Sequence, residues 1–399
     1  FEDLGIKYTG PVDGHDETAL EFALTRAREY ADPVIVHVIT QKGRGYTPAE
    51  NHVADRFHAV GRIHPETGLP VVPERFGWTA VFAEEIVSLA RADERIVAIT
   101  AAMQQPVGLQ PLADAMPERV IDVGIAEQHA LTSAAGMAYA GLHPVVALYA
   151  TFLNRAFDQV LMDVGLHGAG VTIVLDRAGL TGTDGASHNG MWDMALFCLV
   201  PGLRLAAPRD ERTLREALRT AVGVDDGPTI VRYPKGALPG PLPEVRTVGD
   251  DGDEGPFGAV DVLLEAAGEG PGGPLLLVGV GAMVPATLEA GRALVARGEA
   301  VTVACPRWVV PVPRALVDLA ASARGVVVVE DGLVEGGVGS RLRDALEDGA
   351  AHGGARPVVA RVGVPRRFVA TASRPQLLAD FGMDAAGIER TALGLGRRS

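Results

Sequence analysis

The sequence predicts an α/β protein in which a parallel sheet flanked by helices is followed by a smaller α/β domain. Three observations lead to this. From about Trp78 onward, short apolar runs alternate with segments of helical spacing, as a parallel sheet covered on both faces requires. The alternation breaks in a stretch rich in Gly, Pro, Asp and Glu (237–258) and then resumes, which separates two such units. At 399 residues the chain is also too long for one typical domain.

Composition narrows the function. Charged residues make up 22% and hydrophobic ones 47%, an ordinary balance for a globular protein. The formal net charge of -14 argues against nucleic acid as the main partner, although a few local arginines could still bind an anionic substrate. Two cysteines, Cys198 and Cys305, are too few for a disulfide framework; they fit a reducing cytoplasm and are expected to be small buried hydrophobes. No apolar run reaches membrane-spanning length. The chain opens on Phe1 and not Met, so the expectation is that it begins partway through a longer protein.

Taken in order, residues 1–62 contain a helix over Asp16–Tyr30, a buried-type strand over Pro33–Thr40 and a glycine-punctuated loop, Gln41–Glu50. One helix and one strand cannot bury both faces of a sheet, so this segment is expected to be the end of another domain. Residues 63–76 form a linker, 77–236 the first complete unit, 237–258 a second linker and 259–393 the last unit. The first complete unit has helices over 79–92, 129–140 and 154–167. Its strands cover 96–100, 120–125, 145–149, 171–175, 203–206 and 229–232. The last has strands over 275–280, 300–304, 326–329 and 358–361, with helices over 285–297, 314–323 and 339–347.

Candidate site residues cluster where these strands end, and in open parallel sheets ligands bind outside the carboxyl ends of the strands. Glu127 follows an apolar run that breaks at Gly124 and precedes a small-residue helix. A carboxylate there either caps that helix or meets a bound group. Tyr149, Phe152 and Arg155 follow the next strand, Asp176 and Arg177 the one after, and Arg232 and Tyr233 the last. Asp176 could instead serve as a structural partner of Arg177 or Arg155. The loop Arg177–Gly190 holds Arg177, Asp184 and His188 between a buried strand and Met191, so it must fold back over something. Gly43 and Gly45 read as a tight turn, and His58 as a packed side chain. Gly336-Gly337-Val338-Gly339 reads either as an anion-binding helix start or as a tight strand-to-helix turn.

Eight stretches carry a family resemblance: GPVDGHD (10–16), KGRGYTPAE (42–50), FHAV (57–60), DVGIAEQHA (122–130), YATFLNRAFDQV (149–160), DRAGLTGTDGASHNG (176–190), VRYPKG (231–236) and VEGGVGS (334–340). In these the chain resembles the C-terminal part of the 1-deoxy-D-xylulose-5-phosphate synthases, transketolase-type transferases dependent on thiamine diphosphate. The motif around Glu127 is shared with transketolases and dehydrogenase β-subunits, whereas GPVDGHD and the 176–190 loop point to the synthases themselves.

The resemblance implies a thiamin diphosphate-binding fold followed by a transketolase C-terminal domain that is chiefly structural and dimer-forming. It implies pyruvate and glyceraldehyde 3-phosphate as substrates, a place at the head of isoprenoid synthesis, a homodimer, and Mg2+ beside the cofactor. Glu127 would hydrogen-bond the aminopyrimidine ring, Phe152 and Tyr149 would pack on that ring, and Tyr46 would reach the cofactor from the first segment. Arg177 and Arg232 would grip the acceptor phosphate with help from Arg155. Asp184 would orient a substrate hydroxyl, and His58 and His188 would move protons.

Relatives hold the diphosphate and its Mg2+ through a GDG-type motif followed by an Asn, in an N-terminal domain that nothing in 1–399 supplies. Gly182-Thr183-Asp184-Gly185 falls inside the substrate loop and is rejected for that role. Cys305, Val310 and Pro313 depart from the Asp, Lys and Asp common in relatives, which puts a functional role for that segment in doubt. Three readings remain: a synthase fragment inactive without its N-terminal domain, the β-type partner subunit of a two-chain enzyme, and a non-catalytic binding protein. Residues 1–62 argue against the second, and the joint presence of Glu127, Arg177, His188 and Arg232 against the third.

Overall fold

The computed structural model describes residues 1–52, 56–58, 60–71, 77–268, 273–351 and 357–395. Ala59 of the FHAV stretch and residues 72–76 of the expected linker lie outside these. The chain divides into two compact units, Phe1–Arg75 and Phe76–Ser399, which are taken separately.

The first unit is a βαβ element: β1 (Lys7–Asp13) pairs in parallel with β2 (Val34–Ile39), joined by α1 (Glu17–Tyr30). Asp16 caps α1 by accepting the Ala19 N–H at 3.0 Å. β1 was not expected, because Gly10 and Pro11 interrupt its pattern. The pairing register shifts between Thr9 and Val12 to accommodate them. Gly43 and Gly45 both adopt positive φ and turn the chain into the short helix α2 (Thr47–Glu50), as the tight-turn reading anticipated.

The second unit carries two sheets. Its first half runs α3 (Trp78–Ala92), β3 (Ile96–Thr100), α4 (Gln110–Ala115), β4 (Val120–Asp122), α5 (Glu127–Tyr139), β5 (His143–Tyr149), α6 (Ala150–Leu153), α7 (Phe157–Gln159), β6 (Thr172–Asp176), α8 (Asp193–Phe197), β7 (Arg204–Ala206), α9 (Glu211–Ala221) and β8 (Thr229–Arg232). The second half runs β9 (Arg246–Val248), β10 (Val260–Ala266), β11 (Leu275–Gly279), α10 (Val284–Ala296), β12 (Val301–Pro306), β13 (Trp308–Val310), α11 (Arg314–Ala321), β14 (Gly325–Leu333), α12 (Val338–Ala351), β15 (Val358–Val364), α13 (Arg374–Asp380) and α14 (Ala385–Leu395). The seven-stranded sheet has the order β13-β7-β8-β6-β5-β3-β4 and the six-stranded one β15-β14-β11-β12-β10-β9. β3 to β8 pair in parallel throughout, and so do β11, β12, β14 and β15. This is the α/β architecture the alternation predicted.

Several features differ from expectation, among them β10, a strand the spacing did not predict, which pairs antiparallel with β12 in a sheet expected to be parallel. The stretch 154–167 is one helix by spacing but is broken in fact. It begins as a 3-10 turn and widens to a π-helix over Val160–Gly165, where the Asp163 carbonyl accepts the Tyr139 hydroxyl at 2.5 Å. Residues 246–248, within the stretch read as a linker, form β9 and pair antiparallel with β10. β13 leaves the second half and adds an antiparallel edge to β7 in the first sheet. Exchange runs the other way too: Leu180 and Met191, from the loop after β6, are fully buried in one cluster with Leu277, Val329, Val364 and Leu377 of the second half.

Candidate functional site

The site is built at the carboxyl ends of β4, β5, β6 and β8. After β4 the chain turns at Gly124 (φ 72°), where the Asp122 carboxylate accepts the Gly124 and Ala102 N–H groups at 3.0 and 2.7 Å. Glu127 is the first residue of α5 and caps nothing; Ala126 occupies the N-cap. The Glu127 side chain is buried, and its Oε2 lies 3.3 Å from Arg155 Nη1 yet accepts no hydrogen bond among the described residues. A buried carboxyl oxygen left in that state is costly unless a further donor completes it.

Tyr149 ends β5 and Phe152 lies in α6; their rings stack at 6.0 Å and 12°. His188 presents itself edge-on to Phe152 at 5.7 Å, and its Nδ1 lies 2.9 Å from the Ser187 hydroxyl. Burial pushes the Tyr149 hydroxyl up to about 12, with the Arg177 cation opposing the shift, so it remains a neutral donor at neutral pH.

Across the β5–β6 pair Tyr149 is in register with Asp176. Asp176 is buried, accepts the Thr79 hydroxyl at 2.7 Å and lies 3.0 Å from Arg177 Nη1. Burial raises its carboxyl, and Arg177 and Thr79 pull the other way. Arg177 itself takes a left-handed backbone (φ 59°), which costs on the order of 1 kcal/mol in a non-glycine residue. That turn lays its guanidinium over the Tyr149 ring, 3.9 Å from the centroid. The structural pairing of Asp176 with Arg177 is therefore real, and it also aims the arginine.

The loop from Arg177 is closed at its neck, where Gly179 N–H donates to the Gly190 carbonyl at 3.0 Å and the Asn189 side chain accepts the Thr181 N–H at 3.0 Å. Asp184 rides on this loop and is held by Lys235 Nζ at 2.7 and 2.8 Å. Arg232 is placed differently from the expectation of an open phosphate grip. It is buried, its Nε bonds Asp193 at 2.5 Å, and its Nη2 donates to the Asp331 carbonyl at 2.9 Å. In the first unit the Tyr46 hydroxyl donates to the Pro65 carbonyl at 2.8 Å and its ring lies 5.9 Å from Phe57, while His58 is exposed.

Direct contacts join Glu127 to Arg155, and separately join Tyr149 to Phe152 and Arg177 and Phe152 to His188; Asp184 shares the loop of Arg177 and His188. Thr79, Asp193, Lys235, Asp331 and Arg374 were missed. Each bonds a predicted site residue or its loop, and their contacts span separations that no local motif reveals. The glycine cluster before α12 holds an anion from the chain itself: the Glu330 carboxylate accepts the Val338 and Gly339 N–H groups at 2.7 and 3.0 Å. Cys305 is buried as expected, but Cys198 is only partly so and lies against the Arg341 guanidinium. Among the described residues no group of three His, Cys, Asp or Glu side chains could hold a metal ion.

Comparison with known proteins gives a consistent result. Residues 74–241 match the family model described as transketolase, pyrimidine binding domain, residues 265–388 the transketolase C-terminal domain, and residues 1–40 a model described as 1-deoxy-D-xylulose-5-phosphate synthase. The chain is 56% identical over 395 residues to 1-deoxy-D-xylulose-5-phosphate synthase 2 of Streptomyces avermitilis, covering 99% of this chain and 59% of that protein. It is 56% identical to synthase 2 of Kitasatospora griseola over 392 residues, covering 98% and 60%. Among solved structures, a split gene transketolase described as an inactive beta4 tetramer superposes with a TM-score of 0.65 at 27% identity, over 79% of this chain and 96% of that one. A Leishmania mexicana transketolase, at 20% identity and a TM-score of 0.63, covers 80% of this chain and 45% of its own, and shares the fold. The chain spans about three fifths of the length of the curated relatives it matches. It carries transketolase-type pyrimidine-binding and C-terminal domains, and over nearly all its length it is similar to 1-deoxy-D-xylulose-5-phosphate synthases.

Proposed function

We propose that the chain supplies the pyrimidine-binding and acceptor-binding sides of a thiamine diphosphate-dependent synthase, which joins decarboxylated pyruvate to glyceraldehyde 3-phosphate and so feeds isoprenoid precursor synthesis. The observation that carries this reading is the buried Glu127 Oε2, which accepts no hydrogen bond among the described residues and lies 3.3 Å from Arg155, while the next strand end carries the stacked Tyr149 and Phe152 rings. An unsatisfied carboxyl oxygen fits an aminopyrimidine ring: a proton shared between that oxygen and the ring nitrogen would complete the bond. When bound, the cofactor supplies an electron sink next to the pyruvate carbonyl.

The chain's own residues then have distinct tasks. Glu127 would hold the ring nitrogen, while Phe152 and Tyr149 would exclude water from the ring face. Arg177 leads in gripping the acceptor phosphate, because its guanidinium is partly exposed and already aimed by Asp176 and Tyr149. Arg232 is committed to Asp193 and the Asp331 carbonyl, so it and Arg155 assist. Asp184 would orient an acceptor hydroxyl, and His188 would move protons at the substrate oxygens. Mg2+ is expected beside the diphosphate; the described residues do not form a site for it, and no step is derived through it.

A two-chain enzyme is the second reading, favoured by the match to 96% of a split transketolase chain. In either arrangement a homodimer would cover exposed apolar residues such as Ile125, Met162, Leu166 and Leu199. Among the described residues no helix is long and apolar enough to cross a membrane, and the two free cysteines fit a cytoplasmic site of action.

The test is pyruvate decarboxylation with thiamine diphosphate, Mg2+ and glyceraldehyde 3-phosphate. It is run on this chain alone, on this chain mixed with a separate diphosphate-binding domain, and on the two in one polypeptide. Activity in the fused form, lost in Glu127→Gln, supports the synthase; activity in the mixture supports the two-chain reading. A fused form that binds neither cofactor nor substrate would refute both.

A further inference from the structure

The C-terminal half of the second unit reaches into the loop that carries Asp184 and His188, and it does so through one residue of β14. Glu330 and Asp331 are adjacent and fully buried, and alternation along the strand sends them to opposite faces. Glu330 faces α12, whereas Asp331 faces the loop. Asp331 Oδ1 accepts the Leu180 N–H at 3.0 Å, and Oδ2 accepts Arg374 Nη2 at 2.5 Å. The same arginine donates through Nε to the Leu180 carbonyl at 3.0 Å, so both backbone polar groups of Leu180 are held by the C-terminal half. The Asp331 carbonyl meanwhile accepts Arg232 Nη2 at 2.9 Å.

Glycines make this approach possible. A Cβ on Gly179 would lie 2.2 Å from the Asp331 carboxylate, one on Gly182 would lie 2.9 Å from Arg374 N, and one on Gly185 would lie 2.9 Å from Thr371 Oγ1. All three have positive φ, so the loop's path and its closeness to the C-terminal half are specified together. The loop is anchored at Leu180 and Met191, and the segment between those anchors carries Asp184 and His188.

We propose that Asp331, with Arg374, is a positioning residue for the acceptor side of the site. It fixes the backbone from which Asp184 and His188 project, and it sets Arg232 by its own carbonyl. The kinetic part of this proposal rests on the synthase reading; the structural part does not. The Asp331 carboxylate is fully buried and taken up by Leu180 and Arg374. Its loss should therefore loosen acceptor recognition and leave the pyrimidine pocket at Glu127 unchanged.

Hydrogen exchange on the chain itself tests the structural part. In Asp331→Asn and in Arg374→Gln, amides 179–190 should exchange at least about tenfold faster, with the amides of β5 and β11 unchanged. Arg374 is a quarter exposed and provides the same reading if Asp331→Asn does not fold. In the fused form, the KM for glyceraldehyde 3-phosphate should rise about tenfold while that for pyruvate stays within about twofold. Loop exchange unchanged in both variants would overturn the proposal, and so would equal increases in the two KM values. A fused form without any synthase activity would count against the function while leaving the exchange result to decide the positioning role.

Discussion

Glu330 allows a quantitative test of how the last unit is held together. Its carboxyl group is fully buried, and burial pushes it up to about 7, against the pull of two backbone N–H groups and the nearby Arg232 and Arg361 cations. In the unfolded chain the same group titrates near 4.5. Between these values the folded state holds a proton that the unfolded state has released, so stability falls as pH rises through the window and levels off above about 7. At 1.36 kcal/mol per unit, titration from pH 5 to pH 8 removes roughly 2–3 kcal/mol. Glu330→Gln keeps the shape and cannot ionise. Urea unfolding of both proteins at fixed ionic strength, from pH 5 to pH 8, should show the wild type losing that much relative to the variant. A difference between the two that does not change with pH would refute the reasoning. It would mean that the helix N-terminus stabilises the carboxylate as well as burial penalises it.

Four further perturbations follow from named contacts. Gly179→Ala should destabilise the chain by about 1–3 kcal/mol and speed exchange of the 179–190 amides, because the new Cβ meets the Asp331 carboxylate at a residue with φ 76°; thermal unfolding with hydrogen exchange reads both. Arg209→Met should lower stability by about 3–5 kcal/mol in urea, since it leaves the fully buried Asp261 carboxylate short of a cation. Removing the partly exposed Glu244, also bonded to Arg209, should change it by under about 1 kcal/mol. Thr79→Val should cost about 1–2 kcal/mol by taking a donor from Asp176. Phosphate-acceptor binding should weaken with it if Asp176 aims Arg177, and isothermal titration with an acceptor analogue distinguishes that from a stability effect alone.

What the sequence disclosed depends on the range of the interactions involved. Glu127, Tyr149, Asp176 and Arg232 could be placed because each stands at or just after the end of an apolar strand, and a period of two or 3.6 is visible over a few residues. The βαβ alternation that orders β3 to β8 is equally local in its pattern. β1 was hidden because Gly10 and Pro11 look like a turn, and β13 because three residues carry no period at all. The π-helical segment after α7 reads as ordinary helix until Tyr139 supplies a competing donor. Asp331 and Arg374 lie 151 and 194 positions from Leu180, and an acidic residue at the end of a valine-rich strand does not say which loop it will meet. The resemblance to transketolase-type enzymes identified the family, yet it gave the last domain a mainly structural part. The bonds from β14 to the 177–190 loop are a feature of the folded chain.

The two halves of the second unit hold each other by exchange. β13 completes the edge of the first sheet against β7, and Leu180 and Met191 complete the core of the second half. Between them, Arg209 from the first half and Arg307 from the second share the buried Asp261 carboxylate, with Arg307 making two bonds of 2.9 Å. Opening the halves as a hinge would have to uncover two apolar side chains, unpair an edge strand and strand at least one buried charge, losses that together reach several kcal/mol. Such an opening would be rare in the resting chain, because every 1.36 kcal/mol removes a factor of ten from the open population. On the proposed function, the acceptor side of the site would then be set before substrate arrives. Selectivity among acceptors should then follow from the fixed spacing of Arg177, Asp184 and His188, and not from closure of the C-terminal half around the substrate.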